Sequence, residues 1–186
     1  MQLNAPSIRP GMVLAVDNGL WRVMKTQHVT PGKGVACMQV EMRNIETGVK
    51  ANKRFNSTER VERVVLNQQE MQFLYQDGDD YHFMNMENFE QIVLKREMLE
   101  HALPYLLPEM VVTVEFHEDR PLNVQMPQSV VLTVVECDAA IKGQTATGSY
   151  KPGRLETGAP IMVPPYLEPG TRVRVNTETG EFIERA

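Results

Sequence analysis

The chain has 186 residues, 42% hydrophobic and 23% charged, with a formal net charge of −5; this is ordinary soluble-protein composition, enough for one large core or two to three small ones. It holds no apolar run long enough to span a membrane, and Met1-Gln2-Leu3-Asn4-Ala5-Pro6 has neither the basic start nor the apolar stretch of a secretory signal, so a cytoplasmic protein without a membrane partner is expected. The total charge argues against a nucleic-acid partner until it is divided: residues 1–63 carry ten Lys/Arg against five Asp/Glu (+5), 64–126 three against twelve (−9), and 127–186 six against seven (−1), so the basic first third alone is fit to meet phosphate.

That first third reads as β throughout. Met12 to Val16, an Asn18-Gly19 turn, Trp21 to Val29, Val35 to Arg43, a Glu46-Thr47-Gly48 turn and Val49 to Phe55 form a meander of short strands, with Asn56-Ser57-Thr58-Glu59 as its exit. Leu20, Arg22 and Met24 alternate with Trp21, Val23 and Lys25, and about sixty residues of this kind close into a small SH3-like barrel. Between the two longest arms lies Thr30-Pro31-Gly32-Lys33-Gly34. Proline fixes one dihedral and the flanking glycines can take positive φ, so the backbone reverses tightly and Lys33 points away from any core. An amine presented to a partner and an ordinary solvated turn lysine both satisfy this pattern.

The middle third continues with Met71 to Tyr75, a turn at Asp77-Gly78, and Tyr81 to Met86, with Met84 and Met86 expected as core filler. Met98, Leu99, Ala102, Leu103 and Leu106 recur at helical spacing between Lys95 and Leu107, limited by Pro104, before strands resume at Val111 to Phe116 and Val124 to Met126. One short helix on a small barrel fits an OB-like domain. After the joint at Pro127-Gln128 come Val130 to Val135, a polar stretch from Lys142 to Thr157, Ile161 to Val163, Arg172 to Asn176, and Phe182 to Ile183 after a Thr179-Gly180 turn. The hydroxyl-rich loop Gln144 to Lys151 suits a phosphate backbone or is simply a surface loop. The expected domains are 1–63, 64–126 and 127–186, in an all-β chain.

No catalytic, metal or cofactor site is expected. A phosphate-binding loop needs four residues before Gly-Lys-Ser/Thr and a helix after it, whereas Gly34 and Val35 follow Lys33 and a strand comes next. Cys37 and Cys137 stand 100 residues apart with no further ligand at metal spacing and read as buried, reduced thiols; His28, His82, His101 and His117 have no carboxylate or thiol at motif spacing.

The Pro31-Gly32-Lys33-Gly34 tip resembles that of bacterial translation elongation factor P. Similar to that family too are Lys151-Pro152-Gly153-Arg154 through Val163-Pro164-Pro165-Tyr166-Leu167-Glu168-Pro169-Gly170, the central Phe83-Met84 followed by Glu90-Gln91, and the closing Thr179-Gly180-Glu181-Phe182-Ile183-Glu184-Arg185, so the likeness runs from about Ile8 to Arg185. Gly153, Ala139-Ala140 and Gln144 depart from the usual alanine, Pro-Gly and aspartate. The resemblance implies three barrels in an elongated arrangement: a KOW-type barrel shared with the hypusine-bearing factor of archaea and eukaryotes, then two OB-like domains, the last of which that factor lacks. It also implies a monomer that binds the ribosome beside the P-site peptidyl-tRNA and promotes peptide-bond formation at consecutive prolines without catalysis of its own. Lys33 would touch the tRNA acceptor end and be the target of a modifying enzyme, with Pro31, Gly32 and Gly34 as its backbone. Lys53, Arg54, Thr145, Thr147, Lys151 and Arg185 would contact tRNA or rRNA backbone. A general RNA-binding barrel protein of ribosome assembly or transcription is the alternative; it needs stacking aromatics, which are only 6% of the residues.

Overall fold

The computed structural model describes residues 1–139 and 149–186. The chain is all-β, with three sheets among the described residues. The first holds β1 (Gln2–Asn4), β2 (Val13–Val16), β3 (Gly19–Val29), β4 (Cys37–Asn44), β5 (Lys50–Asn56) and β6 (Arg60–Val64) in the order β1-β6-β2-β3-β4-β5. Sequence alone placed an exit at Asn56–Glu59 and named no strand between it and the domain's expected end at residue 63. Instead β6 turns back, pairing Val64 with Val13 of β2 and Val61 with Leu3 of β1, which curls the sheet around Ile8, Leu14, Val23, Val40, Met42 and Phe55. The turn between β2 and β3 lies one residue earlier than expected. Asp17 and Asn18 take φ of 49° and 60°, and Val16 pairs with Gly19, so two left-handed residues in succession form the hairpin turn whose twist matches its strands.

The second sheet holds β7 (Asn67–Asp77), β8 (Asp80–Asn85), β9 (Gln91–Lys95), β10 (Val111–His117) and β11 (Arg120–Gln125) in the order β11-β10-β7-β8-β9. Phe73 packs against Phe83 and Tyr81, ring centroids 5.3 and 5.8 Å away, on its inner face. The expected helix is short: α1 covers Arg96–Leu99, and turns follow, with the Tyr105 N–H donating to the Ala102 carbonyl. Pro104 supplies no N–H and disfavours helical geometry at Leu103, so the helix stops while the apolar spacing still buries Leu99, Ala102 and Leu106. Met84 and Met86 are not core filler: Met84 is half-buried and Met86 is 40% exposed, because Phe83 and Asn85 take the inner face of β8.

The third sheet holds β12 (Ser129–Cys137), β13 (Lys151–Leu155), β14 (Pro160–Val163), β15 (Arg172–Asn176) and β16 (Phe182–Arg185) in the order β14-β13-β12-β15-β16. The polar stretch read as loop contains β13, which the alternation rule missed because Pro152 and Gly153 interrupt it; only Leu155 of this strand is buried. Cys37 is buried and Cys137 half-buried, both free thiols. The chain packs as two compact units, Met1–Gln68 with Glu115–Asn123, and Gln69–Val114 with Val124–Ala186. No helix among the described residues is long and apolar enough to cross a membrane.

Candidate nucleic-acid interface

The hairpin β3–β4 carries the tip. Its strands run eleven and eight residues, pairing from Trp21–Asn44 to Val29–Cys37, and the chain from 30 to 36 projects beyond the last pair. The Ser57 N–H donates to the Ala36 carbonyl at 3.0 Å, tying the base of the tip to the end of β5. Gly34 has φ +133°, and a Cβ there would meet Pro31 Cγ at 3.3 Å, so this glycine is what lets the backbone close over the proline ring. Gly32 is different. Its φ lies outside the left-handed range and nothing stands within 4 Å of where a Cβ would be, so the hairpin does not itself require glycine at that position. Lys33 is exposed, and so are Gly32, Gly34 and Val35, while Pro31 is half-buried.

Below the tip, one extra residue decides which side chains face solvent. The register slips between Val23 and Lys25, leaving Met24 as a bulge 41% exposed. A slip of one residue exchanges the two faces of a strand. Trp21 and Val23 point inward before it; after it Lys25 and Gln27 point outward, opposite Glu41 and Gln39. Across β4, Gln39 pairs with Arg54 and Glu41 with Asn52, so Lys25, Gln27, Gln39, Asn52 and Arg54 line an open concavity of ≈ 620 Å³ together with the carboxylate-bearing Glu41. Simple alternation had put Lys25 on the same face as Trp21 and Val23, and so missed it together with Gln27 and Gln39. The available signal was amide and cationic residues recurring at i, i+2 in a strand that opens on an aromatic and ends at a lysine-bearing turn.

The other expected contact residues are scattered. Lys53 and Arg54 point to opposite faces of β5: Arg54 is exposed in the concavity, whereas Lys53 donates to Asp17 at 2.7 Å and lies 5.6 Å from the centroid of the Phe55 ring. Lys151 Nζ donates to the Asp138 carbonyl at 2.5 Å and the Leu167 carbonyl at 2.6 Å, so the ammonium ties the start of β13 to the residue after β12 and to the β14–β15 connection. Arg185 is exposed on the edge strand β16. Thr145 and Thr147 lie outside the described residues.

A buried ion pair fixes the tip-bearing strand. Arg22 Nη2 donates at 2.5 Å to Glu115, whose side chain is 2% exposed, and Gln68 and Asn123 donate to the same carboxylate at 3.2 and 3.1 Å. Burial pushes the Glu115 carboxyl up, but the hydrogen bonds from Asn123, Arg22 and Gln68 together outweigh it and hold the group below its ordinary 4.5. Among the described residues no buried side-chain nitrogen or oxygen lacks a partner, and no group of three acidic, histidine or cysteine side chains is arranged to hold a metal.

Comparison with known proteins covers all three sheets. Residues 4–61 match the family model of the elongation factor P KOW-like domain, 66–124 that of the elongation factor P OB domain, and 130–185 that of the elongation factor P C-terminal domain. The chain is 50% identical over 186 residues to elongation factor P of Acidithiobacillus ferrooxidans, covering 100% of both chains. It is 50% identical over 182 residues to that of Nitrosospira multiformis, covering 97% of each. Among solved structures, eukaryotic translation initiation factor 5A from Methanococcus jannaschii aligns with a TM-score of 0.54 at 21% identity, over 67% of this chain and 95% of that one. A translation initiation factor 5A family protein from Naegleria fowleri aligns at 0.51 and 16%, over 68% and 98%. These two are likenesses of fold, and they bear out the all-β, barrel-type architecture expected from the sequence.

Proposed function

This chain belongs to the elongation factor P family of translation elongation factors, and from that premise we propose that it binds the ribosome beside the P-site peptidyl-tRNA and promotes peptide-bond formation where consecutive prolines stall it. Proline is a secondary amine with a locked φ, so a prolyl acceptor and a proline-ended nascent chain are both hard to align, and the reaction depends on alignment. A factor that holds the tRNA acceptor end in a productive position lowers the entropic part of that barrier and needs no catalytic group.

The observation that carries the reading is the tip: an exposed Lys33 at the end of a long hairpin, with Pro31 and Gly34 packed together behind it and a bare Gly32 backbone beside it. Lys33 supplies a point charge to the sugar-phosphate of the acceptor end, and Gly32 admits that backbone closely. Extension of Lys33 by a modifying enzyme would lengthen its reach, and intact mass with peptide mapping across residue 33 reads it directly. Along the same hairpin, Arg54, Lys25 and the amides of Gln27 and Gln39 supply sequence-independent contacts to phosphate and ribose. Lys53 contributes less than its position in sequence promised, since Asp17 already neutralises it. The factor acts as a monomer.

Lys33→Ala leaves the thermal melt unchanged and abolishes rescue of a Pro-Pro-Pro reporter in a factor-depleted translation system. Lys25→Glu with Arg54→Glu weakens ribosome binding and lowers the slope of log affinity against log salt by about 1–2. Wild-type rescue by Lys33→Ala would remove the mechanism, and single-stranded RNA bound as tightly as ribosomes would favour a general RNA-binding protein.

A further inference from the structure

The outer face of β7–β8–β9 has no part in the reading above, and its side chains are arranged in rows. The register of β7 with β8 slips between Phe73 and Tyr75, so that Tyr75 and Asp77 turn away from the inner face that Phe73 occupies. Tyr75 is 52% exposed and stacks on His82, ring centroids 4.3 Å apart and planes at 14°. His82 in turn pairs across the ladder with Val93, which is 48% exposed. The row therefore presents a half-exposed tyrosine ring, backed on one face by His82, with an aliphatic neighbour. Exposed apolar groups continue in the turn that joins β8 to β9, where Phe89 is 67% exposed and held at φ 62°, a conformation bulky residues rarely adopt.

Acidic groups bound this row on both sides. Asp77 pairs with Asp80 in the next row of the same face and Asp79 sits in the turn between them; beyond the other end lie Glu70, Glu87 and Glu90, all exposed. The cation of the face, Lys95, is hydrogen-bonded to Asp80, and that bond, with Asp79 nearby, holds its proton more tightly than usual. The remaining carboxylates have no cation among the described residues.

We propose that this face docks a basic protein segment, an arginine or lysine of which lies over the Tyr75–His82 pair while neighbouring cations meet Asp77 and Asp79 and an aliphatic side chain rests on Val93. A guanidinium over an aromatic face is attracted by the ring quadrupole, and the attraction grows as water is excluded. Complementary charge brings such a segment in and turns phosphate away: a nucleic acid stacking a base on Tyr75 would carry its backbone within a Debye length, about 8 Å at physiological salt, of several carboxylates. The inference does not rest on the role of Lys33.

The test uses the full-length chain, labelled with nitrogen-15, and two probes: a short peptide alternating arginine and leucine, and an oligouridylate of equal length. Expected are peptide-induced shifts at the amides of Tyr75, His82 and Val93, weakening as salt is raised, and no comparable shifts with the oligouridylate. Tyr75→Ala lowers peptide affinity by about tenfold, the factor that a contact worth 1.4 kcal/mol gives, while Tyr75→Phe retains it; Asp77→Asn with Asp79→Asn lowers it and flattens the salt dependence. All of these positions are exposed, and an unchanged melt confirms that the fold is intact. Shifts confined to other surfaces, equal affinity in Tyr75→Ala, or tighter binding of the oligouridylate would each overturn the proposal.

Discussion

In β3–β4–β5 and in β7–β8–β9, three antiparallel strands meet with one register slip in the first strand, at Met24 in one and Leu74 in the other. In both, the slip turns the following residues from the core face to the solvent face. The yield differs. The first presents Lys25, Gln27 and Arg54, the second Tyr75, Asp77 and Asp80. One backbone device thus serves two surfaces of different composition: each bulge decides which residues of its own strand, Lys25 and Gln27 or Tyr75 and Asp77, join the solvent face, and the neighbouring strands supply the rest. Internal pairing refines the contrast. Arg22 is neutralised by Glu115, Lys53 by Asp17 and Lys95 by Asp80, so the charges left to act on partners are fewer than the sequence total, but more cleanly separated.

Removing a bulge is the strongest way to break this comparison. Inserting an alanine between Glu41 and Met42 gives Met24 a partner, and a ladder without the bulge puts Lys25 and Gln27 on the core face or Val23 on the solvent face; either outcome costs several kcal/mol. Amide hydrogen exchange is the suitable measurement, since a chain of more than one compact unit has no single unfolding free energy. Protection at Val23 and Val40 should collapse, whereas protection at Phe83 stays. Inserting an alanine between His82 and Phe83, which gives Leu74 a partner, should do the reverse. Undiminished protection at Val23 in the first variant would mean that register does not decide which residues join the solvent face.

The next largest effect sharpens which cations count as free. Glu115→Gln keeps the shape of the carboxylate and loses its charge, leaving Arg22 half-buried without a counter-ion; a destabilisation of about 1–3 kcal/mol at neutral pH follows for the unit that contains both. Because the folded-state Glu115 carboxyl is held below 4.5, its contribution to stability is present above that value and is lost as pH falls through the depressed folded value. The gap between wild type and Glu115→Gln, read as exchange protection at Val23, should therefore be widest at neutral pH and close in acid. A gap that widens in acid would show the ion pair has the wrong sign.

Much of this was readable in the sequence because strand periodicity and turn chemistry are local. The hairpin arms, the Lys33 tip and the β7–β8 turn all follow from residues within a few positions of one another. What escaped was decided at a distance or by a single inserted residue. The strand β6 follows the Asn56–Glu59 stretch that reads as an exit, and only its pairing with β2 and β1 makes it part of the sheet. The bulges at Met24 and Leu74 leave no mark on composition, yet each reverses the face assignment of everything after it in its strand. Lys151 reads as a free cation because the carbonyls of Asp138 and Leu167 that hold it are 13 and 16 residues away. The short helix limited by Pro104 was legible, but its end at Leu99 was not, since the apolar spacing continues into the turns that follow it.

The smallest effects separate the two glycines of the tip and contrast this hairpin with its acidic counterpart, which Gly78 at φ 61° and Asp79 close in two residues with no projecting loop. Gly34→Ala places a side chain at φ +133° and against Pro31, and should cost about 1 kcal/mol of local stability, visible as faster exchange at Ala36 and Cys37. Gly32→Ala meets nothing within 4 Å and needs no left-handed backbone, so exchange at the same amides should stay at the wild-type rate. If glycine is present at 32 only to serve the hairpin, the alanine variant would also rescue a Pro-Pro-Pro reporter as wild type does. If it is present so that the acceptor end can approach the bare backbone, rescue falls while exchange does not move. That dissociation of activity from stability is the expected result, because the chain itself offers no steric reason for a glycine there.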